Sequence, residues 1–332
     1  MTLLYINGFD AGDLVPRGVY GTNLVLETVT RHDYGKSISN MNSGWIVPVT
    51  ASSKVTTGIA CKSGVPSLAD GSVISYQTDS GAVNHVSLNV HSNGAMTISR
   101  NSGVLATSAA GIVTGGTWNY YEFTVLIHDT TGYASGRLNG VEVVSYTGDT
   151  RDGGASVSID RATFNSISGI NNKTYFDDMY ILNDLGAAPY NAPLGDVRVQ
   201  TLAVNGAGSS AQLTPVGSVN NWENVEELPS SMTDYNWSAT AGHRDLYSIT
   251  DPIVGTNVVY GVGVNTFVQK SDAGARSVKP LAKIGSTVYA GATSALSTSA
   301  LIQTAVWQVS PATSTAWTAA EVAGTEIGVE VV

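Results

Sequence analysis

The sequence predicts an all-β protein built as two tandem β-sandwich, jelly-roll-like domains. Three observations predict it. Apolar side chains recur with a period of two along many short stretches. Turn-forming pairs such as Asn-Gly and Asp-Gly separate those stretches. One Pro- and Gly-rich segment divides the 332 residues into two parts, each long enough for its own core.

The elements follow in order. Gly58-Ile59-Ala60-Cys61-Lys62 reads as a strand, with Cys61 a buried small hydrophobe rather than a nucleophile. Val86, Leu88 and Val90 face one way, with Ser87 and Asn89 opposite. Tyr121, Phe123, Val125 and Ile127 alternate with Tyr120, Glu122, Thr124 and Leu126. The second set is not fully polar, so this strand is expected at a sheet centre, covered on both faces. Asn139-Gly140 joins Gly136-Arg137-Leu138 to Val141-Glu142-Val143-Val144. That pair tolerates positive φ at both central positions of a type I′ hairpin turn. Phe176, Asp178, Tyr180 and Leu182 alternate with Tyr175, Asp177, Met179 and Ile181.

Prolines 189 and 193 then interrupt any regular element. The first domain is placed at 1–187, the linker at 188–194 and the second domain at 195–332. A strand is expected from Val197 to Val204. The longest alternation runs through Val258, Tyr260, Val262, Val264, Thr266 and Val268, and another through Leu301, Gln303, Ala305, Trp307 and Val309. One helical turn is expected over 317–322, capped by Thr315.

Composition excludes several classes. Hydrophobic residues are 42% and charged residues 13%, which suits a packed chain rather than a disordered one. Net charge is −10 with no Lys/Arg cluster, so no nucleic-acid partner is expected. A single cysteine permits neither an intrachain disulfide nor a cysteine-based zinc site. No run of about 18 apolar residues is present, so no membrane span is expected. The first residues lack the basic start and apolar length of a secretory signal, so synthesis in a cytoplasm without export is expected. Release by lysis reconciles that with a surface-type composition.

The chemistry-bearing residues are sparse. No G-x-S-x-G context is present for a serine nucleophile. His85 and His91 share a strand face but stand too far apart for one metal, and His243 reads as a loop residue. Glu223, Glu226 and Glu227 follow Trp222 at a loop-like spacing. Trp45, Trp222 and Trp237 lie in polar, loop-like contexts and are the candidates for stacking on sugar rings. Packing beneath a loop is the alternative for all three, and Trp45 could equally be core. Trp118, Trp307 and Trp317 read as core.

Leu3 to Asp10, Trp118 to Phe123 followed by Gly136 to Val143, and Tyr175 to Ile181 resemble the opening strand, central hairpin and closing strand of the concanavalin A-like lectin/glucanase superfamily in its laminin-G-like form. The resemblance covers the first half of the chain and implies a concanavalin A-like sandwich. It also implies calcium as the usual ion, with Asp10, Asp13, Asp177 and Asp178 as candidate ligands because the first and last strands pair in that fold. Turn capping by Asp10 and Asp13, and backbone bonding by Asp177 or Asp178, is the alternative, so no cofactor is required. Relatives of the glucanase branch carry Glu-x-Asp-x-Glu on one strand; no such pattern occurs here, and adjacent Asp177 and Asp178 are expected on opposite faces.

Phe176 to Ile181, Leu194 to Val199, Ala273 to Pro280 and Glu326 to Val331 resemble strings in structural proteins of tailed bacteriophages. This implies a non-enzymatic accessory virion protein, a head decoration or a tail or fibre component. Its partners would be capsid or tail proteins, and it would assemble as a homo-oligomer, with a trimer or attachment at a symmetry axis expected. The alternative is a carbohydrate-binding adhesin of the tail that recognises host surface glycan; a glycan hydrolase stands third.

Overall fold

The computed structural model describes residues 2–10, 20–21, 24–32, 35–41, 43–101, 103–153, 156–183, 186–252 and 258–332. They separate into two compact units, Met1–Phe9 with Gly18–Val199 and Asp10–Arg17 with Gln200–Val332. The segment expected as a linker and the residues up to Val199 thus belong to unit one. The strand expected from Val197 begins only at Val204. Upstream of it, the N–H groups of Leu194, Gly195 and Val199 donate to Tyr180 Oη, Glu122 Oε1 and Asp178 Oδ1 at 2.9, 2.8 and 2.8 Å. Those groups are then unavailable for a strand ladder.

Unit one carries β1 (Leu3–Asn7), β2 (Tyr20–Gly21), β3 (Val25–Glu27), β4 (Ser37–Asn40), β5 (Gly44–Ser52), β6 (Lys54–Ser63), β7 (Gly71–Thr78), β8 (Val83–Val90), β9 (Met96–Arg100), β10 (Gly103–Thr107), β11 (Asn119–Leu126), β12 (Gly132–Leu138), β13 (Val141–Gly148), β14 (Ile159–Asn165) and β15 (Thr174–Asn183). One antiparallel sheet runs β13-β12-β11-β6-β15-β4-β3, with β1 also on β15. The other runs β10-β9-β8-β7-β14-β5-β2. Aromatic rings join them. Tyr76 of β7 stacks on Phe123 of β11 at 5.3 Å between centroids, and its hydroxyl donates across to Phe123 O at 2.8 Å. Trp45 of β5 stacks on Phe164 at 4.2 Å and meets Phe9 and Phe176 edge-on. Two sheets packed face to face through their apolar sides make a β-sandwich.

Local signals are realised here. Strand β11 lies between β6 and β12 and is buried from Asn119 to Val125, so both faces are covered as its mixed pattern predicts. Asn139 and Gly140 take φ of 49° and 82°, and Leu138 pairs with Val141 across the turn. Two consecutive positive φ values make the type I′ hairpin.

Unit two carries β16 (Val204–Ala211), β17 (Thr214–Val216), β18 (Tyr235–Trp237), β19 (Arg244–Ile249), β20 (Val262–Val268), β21 (Ser277–Ile284), β22 (Thr287–Ala290), β23 (Ser294–Ala295), β24 (Leu301–Trp307), β25 (Glu326–Val331) and a short helix α1 (Ala319–Ala323). A sheet runs β16-β19-β25-β21-β22, with β23 also on β21. The β20–β24 ribbon packs on β21 and β25 and forms a narrow second layer. A second ribbon, β17–β18, stands apart from both sheets in pairing.

Two expectations are corrected. The alternation read from Val258 becomes strand only from Val262; Val258 is exposed, and Val259 makes an isolated bridge to Trp317. A repeating pattern needs a partner strand as well as a period, and β24 supplies one only opposite Val262–Val268. The helical turn is capped by Thr318, whose Oγ1 accepts Glu321 N at 3.1 Å, while the Thr315 hydroxyl bonds that of Thr313. Trp317 just before the cap is buried, which sets where the helix can start. Among the described residues, no helix is long and apolar enough to cross a membrane.

Candidate functional site

Two polar arrangements stand out, one in each unit. In unit one, Asp177 pairs with Ala60 and Tyr180 with Gly58, so β15 accommodates one extra residue and bulges. Asp178 takes φ 50°, a region that Asp tolerates better than most side chains. The bulge overturns the expectation that Asp177 and Asp178 point to opposite faces. Both are buried, and both reach the Arg31–His32 segment. Arg31 N donates to Asp177 Oδ2 at 3.3 Å and Arg31 Nη1 to Asp178 Oδ2 at 2.9 Å. His32 Nε2 lies 2.8 Å from the same Asp178 oxygen. Arg31 also pairs with Asp196, donates to Val197 O, and lies over the Tyr120 ring. Burial works against the Arg31 charge, but Asp196 and Asp178 outweigh it and hold the guanidinium charged.

Beside this pair, fully buried Glu122 accepts the Tyr180 hydroxyl at 2.5 Å and Gly195 N at 2.8 Å. Burial, and then the Glu122 charge, push the Tyr180 hydroxyl well up, so it stays a proton donor. Gly58 lets these groups approach the sheet. A Cβ there would stand 2.1 Å from Tyr180 Cε1 and 2.8 Å from Tyr120 Oη. Gly58→Ala is therefore expected to destabilise unit one by about 1–3 kcal/mol, through overpacking against two buried rings. Urea titration of the variant checks this, and an unchanged midpoint would show that the rings can move aside.

The arrangement is a clasp. Its carboxylates bind backbone N–H groups and one arginine, and it fastens residues 194–199 to the sheet. It does not fit calcium. A guanidinium stands beside Asp178 where a cation would stand, and the Asp177 oxygens accept the N–H groups of Arg31 and Asp178. Asp10 belongs to unit two and accepts Thr201 N at 3.1 Å. Asp13 lies outside the described residues. Among the described residues, no three His, Cys, Asp or Glu side chains are grouped to hold a metal.

The second arrangement is the β17–β18 ribbon. Asn236 is the middle residue of β18, and its side-chain amide donates inward to Asn221 O at 2.7 Å and Tyr247 Oη at 2.9 Å. Its oxygen accepts Asn224 Nδ2 at 3.1 Å. Successive strand residues point to opposite faces, so Tyr235 and Trp237 face away from that network. They are 47% and 51% exposed, and two strand residues set them about 7 Å apart. Val219, Val225, Leu228 and Met232 of the neighbouring turns are exposed as well. Two half-exposed aromatic side chains thus share one face of β18, with the Asn236 hydrogen bonds behind them, and form an aromatic platform.

Asp245 of β19 holds the platform's base. It is fully buried, and its carboxylate accepts Gln212 N and Leu213 N at 2.6 and 2.9 Å, Asn221 Nδ2 at 2.6 Å and the Tyr247 hydroxyl at 2.9 Å. Burial, and then the Asp245 charge, push the Tyr247 hydroxyl up, so it donates to Asp245 while accepting from Asn236.

Of the three candidate tryptophans, Trp45 is a core residue. It is fully buried between Phe164, Phe9 and Phe176, because its place in β5 points it between the sheets. Trp222 is half-buried on the 3-10 turn Asn221–Asn224, which packs against β17 and β18. Trp237 is exposed. Tyr235 escaped notice in the sequence, although its position two residues before Trp237 is the signal that pairs them. Arg31 also escaped, because 147 residues separate it from Asp178. Cys61 is fully buried and burial pushes its thiol up, so it is inert.

No protein-family model matches the chain, and no curated protein matches it in sequence. Among solved structures, a cellulose-induced protein, Cip1, is similar at 16% identity and TM-score 0.39, over 53% of this chain and 96% of that one. Domain 4 of a GH43 extracellular arabinanase from Geobacillus stearothermophilus, solved with arabinotriose, is similar at 16% identity and TM-score 0.34, over 54% and 91%. A carbohydrate esterase from the Shiga toxin-encoding bacteriophage phi24B is similar at 11% identity and TM-score 0.36, over 54% and 96%. At these scores and identities the likenesses fix neither family nor activity. The sheets themselves define the class: a two-unit, antiparallel β protein whose first unit is a sandwich.

Proposed function

We propose that the chain is a non-enzymatic adhesive and structural component of a phage particle, and that unit two holds a surface glycan on Tyr235 and Trp237. The observation that carries the adhesive part is the pair of half-exposed rings on one face of β18, fixed from behind by Asn236. Sugar rings present apolar C–H faces to such a platform, and the rigid rings lose little entropy on contact. The particle part rests on the resemblance of Phe176 to Ile181, Leu194 to Val199, Ala273 to Pro280 and Glu326 to Val331 to tailed-phage structural proteins. Unit one, with its concanavalin A-like reading, then serves as a rigid body. The pairing of its first and last strands, β1 and β15, agrees with that reading. Capsid or tail proteins are the expected partners, with trimeric self-association.

Trp237→Ala tests the adhesive part. The variant is expected to bind glycan at least about tenfold more weakly, as for a central aromatic contact. Its stability should change by no more than about 0.5 kcal/mol, because the side chain is exposed. A glycan array followed by calorimetry reads the first quantity and urea titration the second. Undiminished binding by Trp237→Ala would remove the platform from the account. Mass spectrometry of purified particles tests the rest: a chain absent from particles is no virion component.

A further inference from the structure

We infer that the β20–β24 ribbon of unit two is the surface through which copies of this chain assemble, the β20 edge of one copy pairing with the β24 edge of the next and the ring closing on three. This rests on the self-association in the reading above and adds the surface that carries it; the glycan plays no part. Strands β20 and β24 pair with each other, and among the described residues neither pairs with a third strand. In an antiparallel pair, part of each strand's N–H and C=O groups point away from the partner. The ribbon therefore presents two open rows, one along each edge, and such a row is a template for another strand.

The ribbon lacks the devices that block such pairing, which the terminal strands of the other sheets carry. The pairings of β1, β10, β13 and β16 are each interrupted by a register shift. Strand β3 is three residues long and bears Glu27, paired with Lys173. Strands β2 and β23 have two residues, β17 and β18 three, and β22 four. The β20–β24 register instead runs unbroken from Val262 opposite Trp307 to Val268 opposite Leu301. Neither strand contains Asp, Glu, Lys, Arg or Pro. Within them only Val264 and Ala305 are buried, while Asn265 and Thr304 are exposed. At one end Trp307 O accepts Trp317 Nε1 at 3.0 Å, which closes the row there and leaves the strand interiors open.

Two observations make a second copy the occupant. The chain carries a net charge of −10, so copies repel one another, and a ladder without charged side chains is a place where two of them can meet. Both edges are open alike. A foreign strand on one edge, or a two-fold dimer through one strand, would leave the other row open. Pairing β20 to β24 of the next copy uses both rows once the ring closes. With two strands per copy, two copies make too small a ring for strands to curl into, and three are the next possibility.

The test is sedimentation of the full chain from about 1 to 200 μM, the range for a small interface, with hydrogen exchange at both ends of it. A trimer is expected at the upper end. Amides within Val262–Val268 and Leu301–Trp307 should then exchange at least tenfold more slowly than in the monomer. Thr304→Lys and, separately, Asn265→Lys put on an exposed ribbon position the charge that blunts edges elsewhere. Each should weaken association at least tenfold and leave the urea midpoint unchanged. Val104→Lys, on the bulged edge strand β10, is the control and should leave the mass unchanged. A monomer at every concentration overturns this inference and the self-association, while the adhesive and particle readings stand. A trimer whose ribbon amides gain no protection, or that both edge variants leave intact, overturns the ribbon alone. A two-fold dimer overturns the ring.

Discussion

Asp178→Ala is expected to destabilise unit one by about 3–5 kcal/mol, the range for stripping a buried ion pair of one partner. The Arg31 side chain is 11% exposed and the Asp178 side chain 1%, so water cannot replace the lost carboxylate. His32 loses its 2.8 Å contact, and Val199 N loses its acceptor. Alanine must also adopt the left-handed φ that Asp178 holds. Two controls separate these causes. Asp178→Asn keeps a side chain suited to that φ and removes only the charge. Arg31→Leu combined with Asp178→Asn removes both charges and should recover part of the loss. Hydrogen exchange gives a local readout, since the amides of Leu194, Gly195 and Val199 should lose protection if the clasp opens. A loss of under about 1 kcal/mol with protection retained would show that Asp196 alone holds Arg31 and that the clasp reading is wrong.

Asp245→Ala is expected to cost unit two about 3 kcal/mol or more and to weaken glycan binding as well. Four donors converge on that carboxylate, two of them backbone N–H groups. A hydrogen bond to a charged group contributes about 1.5–3 kcal/mol, and orphaning several buried donors exceeds the loss of any one. The binding loss follows from the chain of contacts. Asp245 fixes Asn221 and Tyr247, both of which fix Asn236, whose inward amide turns Tyr235 and Trp237 outward. Stability and binding therefore fall together in Asp245→Ala, whereas in Trp237→Ala binding falls alone. Urea titration and glycan calorimetry on both variants check the contrast. If Asp245→Ala binds as tightly as the wild type, the ribbon holds its shape without the network.

Much of the fold was legible in the sequence, because its signals are local. Alternation in Tyr121 to Ile127 and the Asn139-Gly140 turn act over a few residues. Each is satisfied by the backbone geometry of its own strand or hairpin. The same locality made Trp45 misleading. Gly44 and Ser43 suggested a loop, but a strand's face is decided by what packs against it, and Phe9, Phe164 and Phe176 come from three distant segments. Likewise, the alternation after Val258 could not reveal that its partner strand begins opposite Val262.

The sequence by itself determined the class: antiparallel β structure throughout, and an acidic chain with neither a Glu-x-Asp-x-Glu strand nor a cysteine metal set. It also supplied one ring of the platform, Trp237. Only the tertiary structure decided that Asp177 and Asp178 serve Arg31 rather than a cation, through a one-residue bulge that strand period cannot announce. It alone moved residues 195–199 into unit one and showed which ring stands beside Trp237. The physical reason is the same each time. Burial and charge pairing are set by groups far apart in the chain, and a pair such as Arg31 and Asp178, separated by 147 residues, exists only once β15 has paired with β4 and brought the segment between β3 and β4 beside it.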